Sequence, residues 1–594
     1  MKFARRVRYD LLWSGCAGLI ALMLAYWNYG WDRFRQVDFK IPFDYWGDVL
    51  ITLPTIKAVT TEDWWPFTPL HSDRAGAPFG MNTGDWPQSE NINFILFKVL
   101  GWLLRDPAQI LNLYFAISFF LVAATTTYVL RRWRLQPVLA IACGIVFALL
   151  PYHYLRFHHV LLSNYWAVPV AIHYALKLGR KRVLFRQRER WSWKELKGFA
   201  VFAFLLAGSG IYYAFFTCFF LLAAGLSAWR ARGNRRSFWS AGLASAIISF
   251  FVFVNLYPHM LYVFNNGRNP RVSVRSAGDA EFYSLRLMNL LTPLPDHNWP
   301  FMIWLNQKFP RPVINFEGVG EYMGLLAILG TLILIGGIVR RRKSGLVPEL
   351  GFLWVSGFLL GTYGGFGELF NSLVYAGIRC YNRLSPFLAL MGLIALFFTL
   401  HRFLLRRRWS AYPTLLAALP VAVAGVWIAL SDQVGTTMKS LRPWDRYLSD
   451  QNFVRQIEAQ NPGVHMILQL PFISFPEAGN VELMPDFAHF VGYTNSDRLR
   501  WSYGIMRDRP GELTLKMLSH EPLDLSAIRA ENYDGIYIDR AGYADSGEAV
   551  IKQLRELIAS PPSFSRDGRL AFFGGTRFPS QKRRGDEQPA SNGK

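Results

Sequence analysis

Long apolar runs separated by short polar stretches dominate the chain. A helix that crosses a bilayer needs about 20 mostly apolar residues, and the runs near 11–28, 108–130, 136–152, 160–178, 198–210, 211–229, 238–258, 321–339, 347–364, 383–401 and 411–430 read as spans. The stretch 91–104 is apolar but too short, and reads as re-entrant or interfacial. The pattern predicts an α-helical polytopic membrane protein with about ten or eleven transmembrane helices. Beyond residue 431 the periodicity changes. Residues 466–470, 535–539 and 570–573 read as strands and 447–459 and 549–558 as amphipathic helices, which predicts a compact α/β domain over 431–580. The polar stretch 581–594 reads as a disordered tail.

Charge sets the expected sidedness. The 594 residues carry a net charge of +23, yet only 18% are charged and 52% are hydrophobic. The basic residues cluster between apolar runs: Arg131, Arg132 and Arg134, then 180–190, 230–236, 340–343 and 402–408. Such clusters mark cytoplasmic loops. Lys2, Arg5, Arg6 and Arg8 precede the first run without an A-x-A-like cleavage site, so this run reads as a retained signal-anchor with its N-terminus inside. All five clusters then fall in the cytoplasm, as expected for a bacterial inner membrane protein. A transmembrane domain over 1–430 leaves external segments at 29–107 and 259–320, and places the C-terminal domain outside the cytoplasm.

No basic patch interleaves with a nucleic-acid motif, so the charge does not point to nucleic acid. The four cysteines, Cys16, Cys143, Cys218 and Cys380, are scattered and read as small apolar side chains. There is no GxxxxGK[ST] or GxGxxG, and the cytoplasmic loops are too short for an ATPase domain. A reaction here must use a substrate already in the membrane or outside it.

The external segments carry the candidate chemistry. Asp44 and Asp48 lie among aromatics soon after the first span, in an acidic loop with Asp32, Asp38, Asp63, Asp73 and Asp85. A carboxylate there takes a proton from a hydroxyl or holds a divalent cation, Mg or Mn; Asp48 equally suits capping of a helix from Val49. His153, Arg156, His158 and His159 suit a lipid phosphate or a wet connecting loop. Arg379 and Arg383 precede a span on the external side, against the positive-inside trend. They suit a phosphate grip or membrane anchoring. His297 is a further loop candidate, and Tyr493, Trp501 and Tyr503 suit either sugar stacking or their domain's core.

Several stretches resemble a group of large bacterial membrane proteins classed as GT-C-type glycosyltransferases. They are Gly47-Asp48, Gly76-Ala-Pro-Phe-Gly-Met-Asn82, Asp85-Trp-Pro87, Pro151-Tyr-His-Tyr-Leu-Arg156, Pro293-Leu-Pro-Asp-His297, Arg379-Cys-Tyr-Asn-Arg383, Trp501-Ser-Tyr-Gly504 and Gly535-Ile-Tyr-Ile-Asp539. The resemblance implies a GT-C-like membrane domain and transfer of a sugar from a polyprenyl-phosphate donor to an outward-facing glycan or lipid acceptor of the cell envelope, as in polysaccharide biosynthesis. It implies Asp48 or Asp44 as the catalytic carboxylate. Arg379, Arg383, Arg156, His153, His297 and Asp85 are then expected at the lipid phosphate or substrate. The chain lacks the adjacent acidic pair common in that superfamily, and an i, i+4 spacing joins Asp44 and Asp48 only on a helix. A transporter or flippase of lipid-linked saccharides, or a non-catalytic envelope assembly factor, are the other classes the pattern admits.

Overall fold

A computed structural model describes residues 2–28, 39–179, 183–187, 190–309, 316–340, 345–406, 411–435 and 444–574. The tail 581–594, Asp32, Asp38 and parts of the basic clusters at 180–190, 340–343 and 402–408 lie outside the described residues. The chain is mostly helical. Among the described residues six helices are long and apolar enough to cross a membrane: Val7–Asn28, Pro107–Arg132, Ile211–Ala231, Arg235–Asn266, Tyr381–Leu405 and Pro413–Asp432. Other expected spans are shorter. Pro137–Ala148 stops ahead of Pro151, and the run 160–178 breaks into Val160–Ser163 and Val168–Gly179. Trp193–Ala207, Leu325–Val339 and Leu346–Gly361 have 15, 15 and 16 residues.

Small residues let these helices close on one another. A methyl group on Gly330 would lie 1.9 Å from the Gly392 carbonyl oxygen, so Leu325–Val339 and Ser385–Arg406 meet backbone to backbone. Lys2–Asn28 packs on Pro107–Arg132, and Ile211–Arg232 on Arg235–Asn266.

The segment 29–107 is more than a loop. It holds the helices Val49–Thr61 and Asn91–Gly101 and a short hairpin pairing His71–Ser72 with Met81–Asn82. Val49–Thr61 is buried along most of its length, and Lys57 reaches from it to the Thr494 carbonyl at 3.0 Å.

The C-terminal domain has the strands expected of it. Its sheet runs in the order Arg500–Trp501, Met466–Leu470, Gly535–Asp539, Leu570–Gly574, Ser563–Phe564, with the first three parallel and the last two antiparallel. Met466–Leu470 and Gly535–Asp539 are buried throughout because both faces are covered. Met466, Leu468 and Leu470 pack with Ile551 and Leu554 of Glu548–Ile558, while Ile467 and Tyr537 join the core shared with the membrane domain.

Backbone contacts cross the expected boundary at 430/431. Ala75 bridges Trp501 in parallel, Gly76 N donates to the Tyr503 carbonyl at 2.8 Å and Ala77 N to that of Trp501 at 2.9 Å. The first segment thereby adds an edge to the C-terminal sheet. Arg569 ion-pairs with the buried Asp450 and Asp539, and Tyr45 donates to Asp450 at 3.2 Å. Asp85, an expected substrate residue, is instead held by Arg509 at 2.6 Å and 2.7 Å.

Gly76 has φ +72°, and a Cβ there would lie 2.7 Å from the Gly80 backbone. Gly76→Val is therefore expected to destabilise the protein by about 2–3 kcal/mol. Thermal unfolding and limited proteolysis are expected to show a lower Tm and a C-terminal domain released more readily; an unchanged Tm would argue against the shared edge.

Candidate functional site

Four segments far apart in the chain meet at one polar cluster. Asp48 occupies the turn ahead of Val49–Thr61, and its carbonyl accepts from Thr52 N at 2.9 Å. Its side chain makes no capping hydrogen bond. The carboxylate turns instead to His159, with Oδ2 at 2.5 Å from Nδ1. His159 lies in the turn between Pro151–Tyr154 and Val160–Ser163, and its Nε2 is 3.1 Å from Glu317 Oε1. Glu317 belongs to the 3₁₀ turn Phe316–Glu321. Its Oε2 lies 2.7 Å from Arg156 Nη1 and accepts from Asn382 Nδ2 at 3.0 Å. Asn382 and Arg383 share the 3₁₀ turn Tyr381–Leu384.

The cluster is a chain of alternating charge: Arg156, Glu317, His159, Asp48. Both His159 nitrogens face carboxylate oxygens, so both must donate and the ring is an imidazolium. Burial alone would lower its pKa, but Asp48 and Glu317 outweigh that and hold it above the ordinary value. Burial alone would likewise raise the Asp48 carboxyl. His159 above all, with Arg383, reverses the direction, so Asp48 is ionised. Glu317 follows the same pattern, with Arg156, His159 and Arg383 driving it well below the carboxylate range. His158, desolvated beside two cations, is pushed down to about 4 and is neutral.

Asp48 Oδ1 has no hydrogen-bond partner among the described residues, and the side chain is 47% exposed. An ionised carboxylate with one free, accessible oxygen is equipped to take a proton. Arg383 lies close enough to act electrostatically on both Asp48 and Glu317. It makes no ion pair among the described residues. Its guanidinium rests 4.3 Å from the Tyr212 ring centroid, and its Nε is buried without a partner. A cation not committed to a carboxylate is suited to an incoming phosphate.

Not every expected residue comes to this place. Asp44 accepts from Tyr45 N at 2.7 Å, its carboxyl pushed up by burial. The backbone around it is not helical, so Asp44 and Asp48 form no i, i+4 pair. Among the described residues no group of three or more His, Cys, Asp or Glu is arranged to hold a metal ion. Arg379 pairs with Asp279 at 3.4 Å and lies over Tyr283, beside the cluster's rim. His153 is fully buried, stacked on Phe119 at 3.6 Å and bonded to Ser118 Oγ at 2.7 Å. His297 is buried against Asp432 at 3.1 Å. Tyr493, Trp501 and Tyr503 are buried core residues, which leaves no open ring face for a sugar; Tyr493 bonds Glu62.

Glu317 escaped the sequence reading. Its signal is indirect: three basic side chains at 156–159 need an anion, and Glu317 is an acidic residue in a glycine-rich turn ahead of an apolar run. The C-terminal domain also reaches the cluster. Asp486 lies near enough to Asp48 to feel its charge, and burial with Glu477 and Asp48 pushes its carboxyl up to about 6. Glu477 ion-pairs with Arg275 at 2.7 Å.

A family model described as a domain of unknown function (DUF6311) matches residues 18–363. The match takes in Asp48, Arg156, His159 and Glu317, and ends before Arg379, Arg383 and the C-terminal domain. No curated protein matches the chain.

The His159 pairings make stability depend on pH. A folded-state pKa raised above 6.5 gives a stabilisation that is complete below that value and lost as pH rises through the folded one. Between about pH 6 and 9 the Tm of the wild type is expected to fall more than that of His159→Gln. Parallel declines would remove His159 from this role.

Proposed function

The chain belongs to the DUF6311 family, and we propose that it is a membrane glycosyltransferase similar to the GT-C superfamily. It moves a sugar from a polyprenyl-phosphate donor to an acceptor hydroxyl at the outer face of a bacterial inner membrane. The observation that carries this reading is the meeting of Asp48 with Arg383 around the His159–Glu317–Arg156 chain. A base and an uncommitted cation are what such a transfer needs, and Arg383 acts on Asp48 and Glu317 alike.

The chemistry follows from that pairing. Asp48 Oδ1 receives the acceptor hydroxyl proton while the hydroxyl oxygen attacks the anomeric carbon. The bond from that carbon to the phosphate oxygen breaks, and Arg383, with Arg379 at the rim, balances the charge left on the lipid phosphate. Direct displacement inverts the anomeric centre. His159 keeps the carboxylate ionised and fixed in direction, and Glu317 and Arg156 hold His159. Hydroxyl and donor are brought together by position as much as by charge. The membrane domain crosses the bilayer about ten or eleven times in this reading, with the shorter apolar helices completing the six long ones. The C-terminal domain lies in the periplasm and closes the acceptor side through Asp486 and Glu477.

Transfer from a labelled polyprenyl-phosphate sugar tests the roles separately. Asp48→Asn is expected to lower turnover by about 10²–10⁴ with donor binding retained, and Arg383→Gln to weaken donor binding by about tenfold or more. Transfer that survives both Asp48→Asn and Asp44→Asn would defeat the catalytic assignment.

A further inference from the structure

Exposed apolar side chains continue past the end of one membrane helix onto a short helix that follows it. On Leu346–Gly361, Phe352, Val355 and Leu359 are 40%, 39% and 41% exposed. After a turn the chain forms Phe366–Leu373, where Phe366, Leu369 and Leu373 are 52%, 55% and 81% exposed. Positions three and four apart share one side of a helix. The two helices abut, since a Cβ on Gly367 would lie 2.6 Å from the Leu360 carbonyl oxygen. Phe366–Leu373 joins Leu346–Gly361 to the span Tyr381–Leu405, and the far ends of both lead to the basic runs 340–343 and 402–408. By that charge pattern the short helix lies at the non-cytoplasmic end.

The short helix has three unlike sides. Its inner side, with Gly367 and Asn371, is buried, and Tyr381 OH lies 3.1 Å from the Gly367 carbonyl and 2.9 Å from Asn371 Oδ1. Phe370 packs on Phe215 with ring centroids 5.0 Å apart. Between the buried side and the apolar one come Glu368 and Ser372. Ser372 is exposed, and Glu368, the one charged residue in 363–378, accepts from Gly364 N at 2.7 Å. A helix with one side on protein, one apolar and open, and one polar is built for a membrane–water boundary. Its inner contacts lead to the cluster. Tyr381 shares a 3₁₀ turn with Arg383, and Phe215 stands one helical turn from Tyr212, on whose ring Arg383 rests at 4.3 Å.

We propose that Phe366–Leu373 lies along the outer surface of the bilayer, with Phe366, Leu369 and Leu373 among phospholipid acyl chains and Ser372 toward water. Continuity with the exposed stripe of Leu346–Gly361 argues for lipid as the occupant, because the same medium covers both. Tyr381 then ties the turn that carries Arg383 to headgroup depth, where lipid phosphates lie. This last step rests on the donor reading above.

Photo-crosslinking of the full-length protein in vesicles of phosphatidylethanolamine and phosphatidylglycerol tests the placement. A benzophenone amino acid in place of Leu369 or Leu373 is expected to gain the mass of a phospholipid, several-fold more often than one in place of Ser372. In intact spheroplasts a membrane-impermeant maleimide is expected to label Ser372→Cys above the wild-type level. The placement is overturned if 369 and 373 crosslink to a second copy or to nothing, if 372 captures lipid equally, or if Ser372→Cys stays shielded before and after lysis. Labelling only after lysis would put the helix on the cytoplasmic side, and the sidedness of the donor reading would fall too. Equilibrium binding of polyprenyl phosphate tests the link to Arg383. It is expected to weaken several-fold in Leu373→Glu and to hold in Ser372→Glu, which adds the same charge on the water side. Equal binding by both variants overturns the link, whereas no binding by the wild type sinks the donor reading and leaves the placement standing.

Discussion

The alternating charges of Arg156, Glu317, His159 and Asp48 hold together segments that lie far apart in the chain. Arg156 and Glu317 have side chains only 2% and 6% exposed. Ions buried so deeply cost several kcal/mol each to desolvate, and persist because each has a partner of opposite sign. Removing one member leaves its neighbour as an uncompensated buried charge. The chain of pairs therefore fixes the 156–159 turn, the Glu317 turn and the start of Val49–Thr61 relative to one another. It ends at a carboxylate with one oxygen still free.

A second set of contacts ties the C-terminal domain to the same place. Arg509 holds Asp85, Arg275 holds Glu477, and Arg569 gathers Asp450 and Asp539 beneath Tyr45. Tyr45 is three residues from Asp48. The C-terminal domain thus packs against the segments that carry the cluster, and the buried rings of Trp501 and Tyr503 serve to seat it there. Burial decided between the two roles open to them.

Much of this was legible in the sequence, for reasons that differ by region. Residues 466–470 and 535–539 stand out because strands buried on both faces are apolar without interruption. The membrane helices stand out by length and composition, but their ends do not: the stop ahead of Pro151 and the break at 164–167 divide runs that are apolar along most of their length. Asp48 and Arg383 were recognisable as charges in unusual places. Glu317 was not, since a lone glutamate in a loop is unremarkable until the fold puts cations beside it. The reading of Asp48 as a helix cap failed because His159 offers its carboxylate a stronger partner than a backbone amide. His153 and Arg156 lie three residues apart in one motif yet point to different surroundings, one into an aromatic stack and the other to Glu317.

Two of the motif stretches, around Gly76 and Trp501, turn out to be neighbours in one sheet. The contacts between Arg500 and the Asp73 and Pro78 carbonyls join positions 427 and 422 apart in the chain. On the ribosome the early half of that edge emerges long before its partner exists. Its amides and carbonyls must be met by water or by a chaperone until the last part of the polypeptide arrives. A nascent chain cut short ahead of residue 500 keeps a raw sheet edge, a state for quality-control proteases to clear.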